Sequence, residues 1–169
     1  GIFVIRDDLA SAEPKRFELQ LHALDQMALD PGVATVVTKR PKATLTTRFL
    51  CPAQPVLTQT DQFTVPPTWP PDAKFENLWH VTAAQPEAAK EAEFLTVLLP
   101  AKAGEEGKLP KVRLLESDTA RGVELLHADG SRTIVGFALP GVEGLKRLGS
   151  VESDGRVFAV ALAANGAPT

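Results

Sequence analysis

The sequence predicts an all-β chain, an antiparallel β-sandwich of about ten to twelve short strands. Three observations carry this. Arg16-Phe17-Glu18-Leu19-Gln20-Leu21-His22 alternates strictly between polar and apolar residues, the period of a half-buried strand. Short apolar runs recur along the chain, with turn residues about every eight to twelve positions. Two Asp-Gly pairs, Asp129-Gly130 and Asp154-Gly155, punctuate the second half, and Gly accepts the positive φ that tight hairpin turns require.

Residues 2–5 are the first apolar run, and Asp7-Asp8 is expected to form the turn that ends it. Residues 16–22 follow, with Phe17, Leu19 and Leu21 facing inward. Residues 33–38 are rich in β-branched side chains. In residues 43–50, Leu45 and Phe49 fall on one face and Thr44, Thr46 and Arg48 on the other. Residues 51–76 carry Pro52, Pro55, Pro66, Pro67, Pro70 and Pro71. Proline removes a ladder donor and fixes φ, so this segment is predicted to be a proline-rich loop or edge. A connection so long points to function or to an extension on the surface.

Strands are expected again at residues 77–82, 94–99, 111–116, 122–127, 132–139, 150–152 and 156–162, with one helix-like stretch at 84–92. Residues 94–99 and 157–162 are apolar on both faces, as befits the middle of a sheet covered on each side. That favours a sandwich over a barrel. No repeat of fixed period is visible.

The length of 169 residues fits one domain, residues 1–169. A net charge of -3 with scattered Lys and Arg excludes the basic footprint of a nucleic-acid binder. The cluster Lys39-Arg40-Pro41-Lys42 reads as a solvated turn. The single cysteine, Cys51, excludes an intrachain disulfide and reads as a packed thiol. No apolar run of about 18 residues occurs, so no membrane span is expected, and residues 1–6 do not form a targeting segment. The abrupt strand-like start suggests a piece of a longer chain.

Candidate chemistry is sparse. His22, His80 and His127 stand alone at strand positions, without metal-ligand spacing. Asp7 and Asp8, adjacent on a strand, would point to opposite faces and could not line one cleft. No nucleophile elbow or phosphate-binding loop is present. No catalytic residue, metal site or cofactor is expected. Trp69, in Val-Pro-Pro-Thr-Trp-Pro-Pro, is the candidate carbohydrate-binding residue, since a Trp on a rigid proline loop can stack on a sugar ring. Trp79 reads as core.

Phe3-Val4-Ile5-Arg6-Asp7-Asp8-Leu9, followed by Phe17-Glu18-Leu19-Gln20-Leu21-His22-Ala23, resembles the C-terminal sandwich of heparinase II/III-like polysaccharide lyases. There, an apolar strand, an Asp and a short loop precede a strand ending in Leu-His or Phe-His. Residues 43–52, Phe94-Leu95-Thr96-Val97-Leu98-Leu99-Pro100, Asp129-Gly130 and Asp154-Gly155-Arg156 are similar to later parts of that domain. The resemblance implies a non-catalytic C-terminal β-sandwich of a secreted or periplasmic enzyme. Its partners would be the catalytic domain of the parent chain and an acidic polysaccharide, with neither nucleic acid nor membrane involved. Full members join an α/α toroid to the sandwich and cleave uronic-acid polysaccharides by β-elimination, with Tyr and His as acid and base. This chain has no tyrosine and no counterpart of the family's histidine-rich metal segment, so no catalytic role is carried onto His22. The alternatives are an independent carbohydrate-binding or interaction module using Trp69, and a small enzyme whose site converges from His22, His80, His127 and the carboxylates.

Overall fold

The computed structural model describes residues 1–63, 65, 68 and 77–169. Fourteen strands occur among these residues, all paired antiparallel: β1 (Phe3–Lys15), β2 (Glu18–Ala23), β3 (Ala28–Asp30), β4 (Thr35–Arg40), β5 (Ala43–Cys51), β6 (Val56–Thr60), β7 (Trp79–Ala84), β8 (Ala89–Lys102), β9 (Lys111–Glu116), β10 (Ala120–Leu126), β11 (Arg132–Ala138), β12 (Lys146–Leu148), β13 (Val151–Ser153) and β14 (Val157–Leu162). The all-β expectation holds. No helix among the described residues is long and apolar enough to cross a membrane. The chain divides into two compact units, Gly1–Ala103 and Gly104–Thr169.

The first unit is a two-sheet sandwich. One sheet has the order β1-β8-β5-β4-β3 and the other β2-β7-β6. Met27, Ala34, Val36, Phe49, Val81 and Ala83 are buried together, and Leu19, Leu21, Ala23, Leu29, Leu57 and Trp79 pack around them. These residues come from both sheets, so the inner faces meet there, as the alternation in β2 and the reading of Trp79 as core required. Gln59 ties the two layers: its amide accepts from the Met27 N–H at 3.1 Å and donates to the Met27 carbonyl at 2.8 Å.

The second unit is built on the sheet β14-β11-β10-β9, with the hairpin β12-β13 against β10. Ala120, Ile134, Leu148, Val151, Phe158 and Leu162 form its core. Glu124 accepts from Arg113 at 2.8 Å and from Arg132 at 3.3 Å. Lys146 is buried, and its ammonium donates to the Asp154 carbonyl at 2.9 Å, so a charge-assisted bond anchors the loop before β14.

Five expectations need correction. Asp7 and Asp8 do not end the first strand; β1 runs through them to Lys15. Arg6, with a side chain only 4% exposed, donates to Asp8 at 2.9 Å and to Glu93 at 3.3 Å, so its charge is matched within β1 and across to β8. The segment 51–76 is not loop throughout; the edge reading holds for β6, which lies on the edge of its sheet, where flanking prolines cost no ladder bond. The stretch 84–92 is not helical. Its ends belong to β7 and β8, because nine residues nucleate a helix poorly while β1 offers a ready ladder. Strand β14 is an edge strand, with Val157 exposed. Asp154-Gly155 closes no hairpin, since β13 pairs with β12 and β14 with β11.

Asp129-Gly130 does sit in the hairpin that joins β10 and β11, and Gly130 has φ of 83°. The predicted strand at 33–38 starts later. Asp30 caps the turn Pro31–Val33, accepting from the Gly32 N–H at 3.1 Å, and β4 begins at Thr35.

Candidate functional site

Two groups of polar side chains stand out, one in each unit. The first lies on the outer face of the β2-β7-β6 sheet. Since successive side chains alternate, burying Leu19, Leu21 and Ala23 turns Glu18, Gln20 and His22 outward. In β7, burying Val81 and Ala83 turns His80 and Thr82 outward. In β6, Thr58 and Thr60 face the same way.

The register places His22 opposite His80, and His80 opposite Thr60. The rings of His22 and His80 have centres 5.8 Å apart with planes tilted by 32°. Phe63 follows at 5.3 Å from His80. A row of three rings therefore crosses the outer sheet face, bordered by Gln20, Thr58, Thr60 and Thr82. His22 is exposed and His80 half-buried, and the buried His80 Nδ1 has no hydrogen-bond partner among the described residues.

The second group surrounds the β10–β11 hairpin and the segment after β14. A cavity of about 460 Å³ is lined by His127, Asp129, Ser131, Arg132 and Thr133 together with Leu162 and its neighbours. Its polar groups bond mainly to one another. Asp129 accepts from the Ser131 hydroxyl at 2.6 Å and from the Ser131 N–H at 2.9 Å. His127 Nε2 is 3.1 Å from the Thr133 hydroxyl. The Ser131 hydroxyl, followed by the Ser131 N–H, holds the Asp129 carboxyl below its ordinary value of 3.8. A carboxylate held below its ordinary value is a weak base, so Asp129 is poorly suited to take the proton of the Ser131 hydroxyl.

The hairpin bonds have a pH signature. A depressed carboxyl adds stability above its unfolded pKa, and this is lost as pH falls through the folded pKa. Ser131→Ala is therefore expected to lower Tm at pH 6, with the gap to the parent protein narrowing at pH 3. A gap independent of pH would show that the charge on Asp129 contributes nothing.

Among the sequence candidates, His22 and His80 come together, while His127 belongs to the second unit. Trp69 lies outside the described residues. Cys51 is half-buried. Among the described residues no three His, Cys, Asp or Glu side chains gather at metal-binding distance. Sequence reasoning missed Phe63 and the pairing of His22 with His80. No local pattern encodes the β2–β7 register.

No family model matches the chain, and no curated protein matches it.

Proposed function

We propose that the chain is the non-catalytic C-terminal sandwich of a secreted heparinase II/III-like polysaccharide lyase, docked on the catalytic part of its parent through the edge of β1. The sequence resemblance supports the family, and one structural observation supports the docking. The rows of side chains facing the sandwich core continue across the larger sheet to β1. One runs Leu29, Val36, Thr47, Leu98, Phe3, and another pairs Phe49 with Thr96 and Ile5. Val36, Thr47, Phe49 and Thr96 are buried, yet Phe3 is 60% and Ile5 40% exposed. Core-type residues end in the open on a long edge strand, and such an edge invites a covering layer.

The reading makes three demands. The coding sequence upstream should specify an α/α toroid. The isolated chain should release no product absorbing at 232 nm from alginate or heparan sulfate. Ile5→Glu should weaken association with the separately produced toroid by at least about tenfold, as expected for a charge placed in an apolar interface. An upstream sequence without a toroid, or association indifferent to Ile5→Glu, overturns it.

A carbohydrate-binding module is the second reading, favoured by the ring row of His22, His80 and Phe63. Such rings offer flat apolar faces and the neighbouring hydroxyls and amide offer polar contacts. Retention of an acidic polysaccharide by the isolated chain, lost in Trp69→Ala or His22→Ala, would put this reading first.

A further inference from the structure

We infer that His22 and His80 form a two-imidazole site for a divalent transition-metal ion, with zinc as the reference ion. The inference is independent of the docking role. It comes from the pairing of β2 with β7, not from the resemblance, whose histidine-rich metal segment has no counterpart here.

The two residues are direct partners in an antiparallel ladder and point to the same outward face. Directly opposed Cβ atoms in such a ladder lie about 4.5–5.5 Å apart, so both imidazoles start at a separation that one ion can bridge. An ion bonded to a ring nitrogen at about 2.0–2.1 Å lies roughly 3.2 Å from that ring's centre. Two rings meeting at a tetrahedral angle then have centres about 5.2 Å apart, and a wider angle gives more. The observed 5.8 Å falls in this range, with no change in backbone.

Three further features fit an ion held between these rings. The His80 Nδ1 is buried and lacks a hydrogen-bond partner among the described residues, and a bound ion would satisfy such an atom. Phe63 packs at 5.3 Å from His80 and restricts its swing. Both histidines also sit on strands of one sheet, which holds them in place better than loops would. Imidazole donors suit zinc, copper and nickel. Among the described residues two imidazoles would serve as ligands, one fewer than the usual open zinc site, and solvent or an added donor group would fill the remaining positions.

The test is a zinc titration of the whole chain in a Cys51→Ser background, followed by calorimetry and by the histidine ring resonances. Saturable binding of one ion per chain is expected, with His22 and His80 signals moving together and those of His127 unmoved. His22→Ala removes an exposed side chain, so the fold should survive by circular dichroism. Its zinc affinity should fall by at least about tenfold, the lower end of what losing even a supporting partner of a metal ligand costs. Absence of saturable binding at millimolar zinc overturns the site. So does binding that His22→Ala leaves unchanged, or titration that perturbs only one of the two rings.

Discussion

Gly122→Ala is expected to destabilise the protein by about 3 kcal/mol or more, at the upper end of what overpacking costs, and to lower Tm by roughly 10 °C. Gly122 and Gly136 are direct partners in the β10–β11 ladder, and the row continues to Leu115 on one side and Phe158 on the other. A Cβ on Gly122 would overlap the Val135 carbonyl oxygen and lie 2.8 Å from the Gly136 Cα and 2.9 Å from the Leu148 Cδ2. Two of those obstacles are backbone, so relief requires the ladder itself to open. A glycine inside a strand commonly marks such a close approach.

Gly136→Ala meets a different obstacle, the ring of Phe158, which can rotate away. It should cost less, and Phe158→Leu should partly rescue it. Leu148→Ala should not rescue Gly122→Ala. Thermal melts of the four variants and the two pairs separate these outcomes, since neighbours that share a clash are non-additive. A Tm loss of less than about 2 °C for Gly122→Ala would mean that the β10–β11 ladder yields to the added methyl.

These two glycines also mark where sequence reading succeeds and stops. The hairpin that pairs them was legible, because Asp129-Gly130 separates two apolar runs. That the hairpin brings Gly122 against Gly136 depends on register, which the local sequence does not state. Strand β2 was legible because one buried face imposes strict alternation. Strand β8 was legible as a buried run and does lie between β1 and β5. Strand β14 carries a similar apolar run, yet it alternates buried Phe158 and Leu162 with exposed Val157, Ala159 and Ala161. Small Ala residues on the open face disguised an edge strand as a central one.

The misjudged segments share a cause. In each, strand pairing overrides what local composition favours. Asp7 and Asp8 look like turn residues, but on an edge strand charges are tolerated, and Arg6 lies close enough to bind Asp8 and Glu93. The Ala- and Glu-rich stretch at 84–92 favours a helix by propensity, but Glu91 and Ala92 find partners in Ala10 and Leu9. The candidate site was the least legible. His22 and His80 lie far apart in sequence, and each alone reads as an isolated strand histidine. Only the β2–β7 ladder makes them a pair.

Phe49→Ala should cost about 3–5 kcal/mol, the range for removing a buried phenyl ring from a core. Phe49 is 2% exposed and belongs to the cluster shared by the two sheets of the first unit. It sits on β5 near the middle of the larger sheet, and its N–H donates to the Ala34 carbonyl at 2.9 Å. Its row leads toward β1 through Thr96 and Ile5. Truncation leaves a cavity facing Val81 and Ala83, side chains too small to refill it. Against a total stability of about 5–15 kcal/mol, the loss is a large fraction. With a urea slope of about 1–3 kcal/mol per molar, the midpoint should fall by roughly 2 M. Phe49→Leu keeps most of the volume and should cost no more than about 1.5 kcal/mol. Urea titrations of the two variants supply the check. The ordering Ala far below Leu is what an interdigitated sandwich core demands, and near-equal midpoints would mean that the two sheets do not pack through this ring.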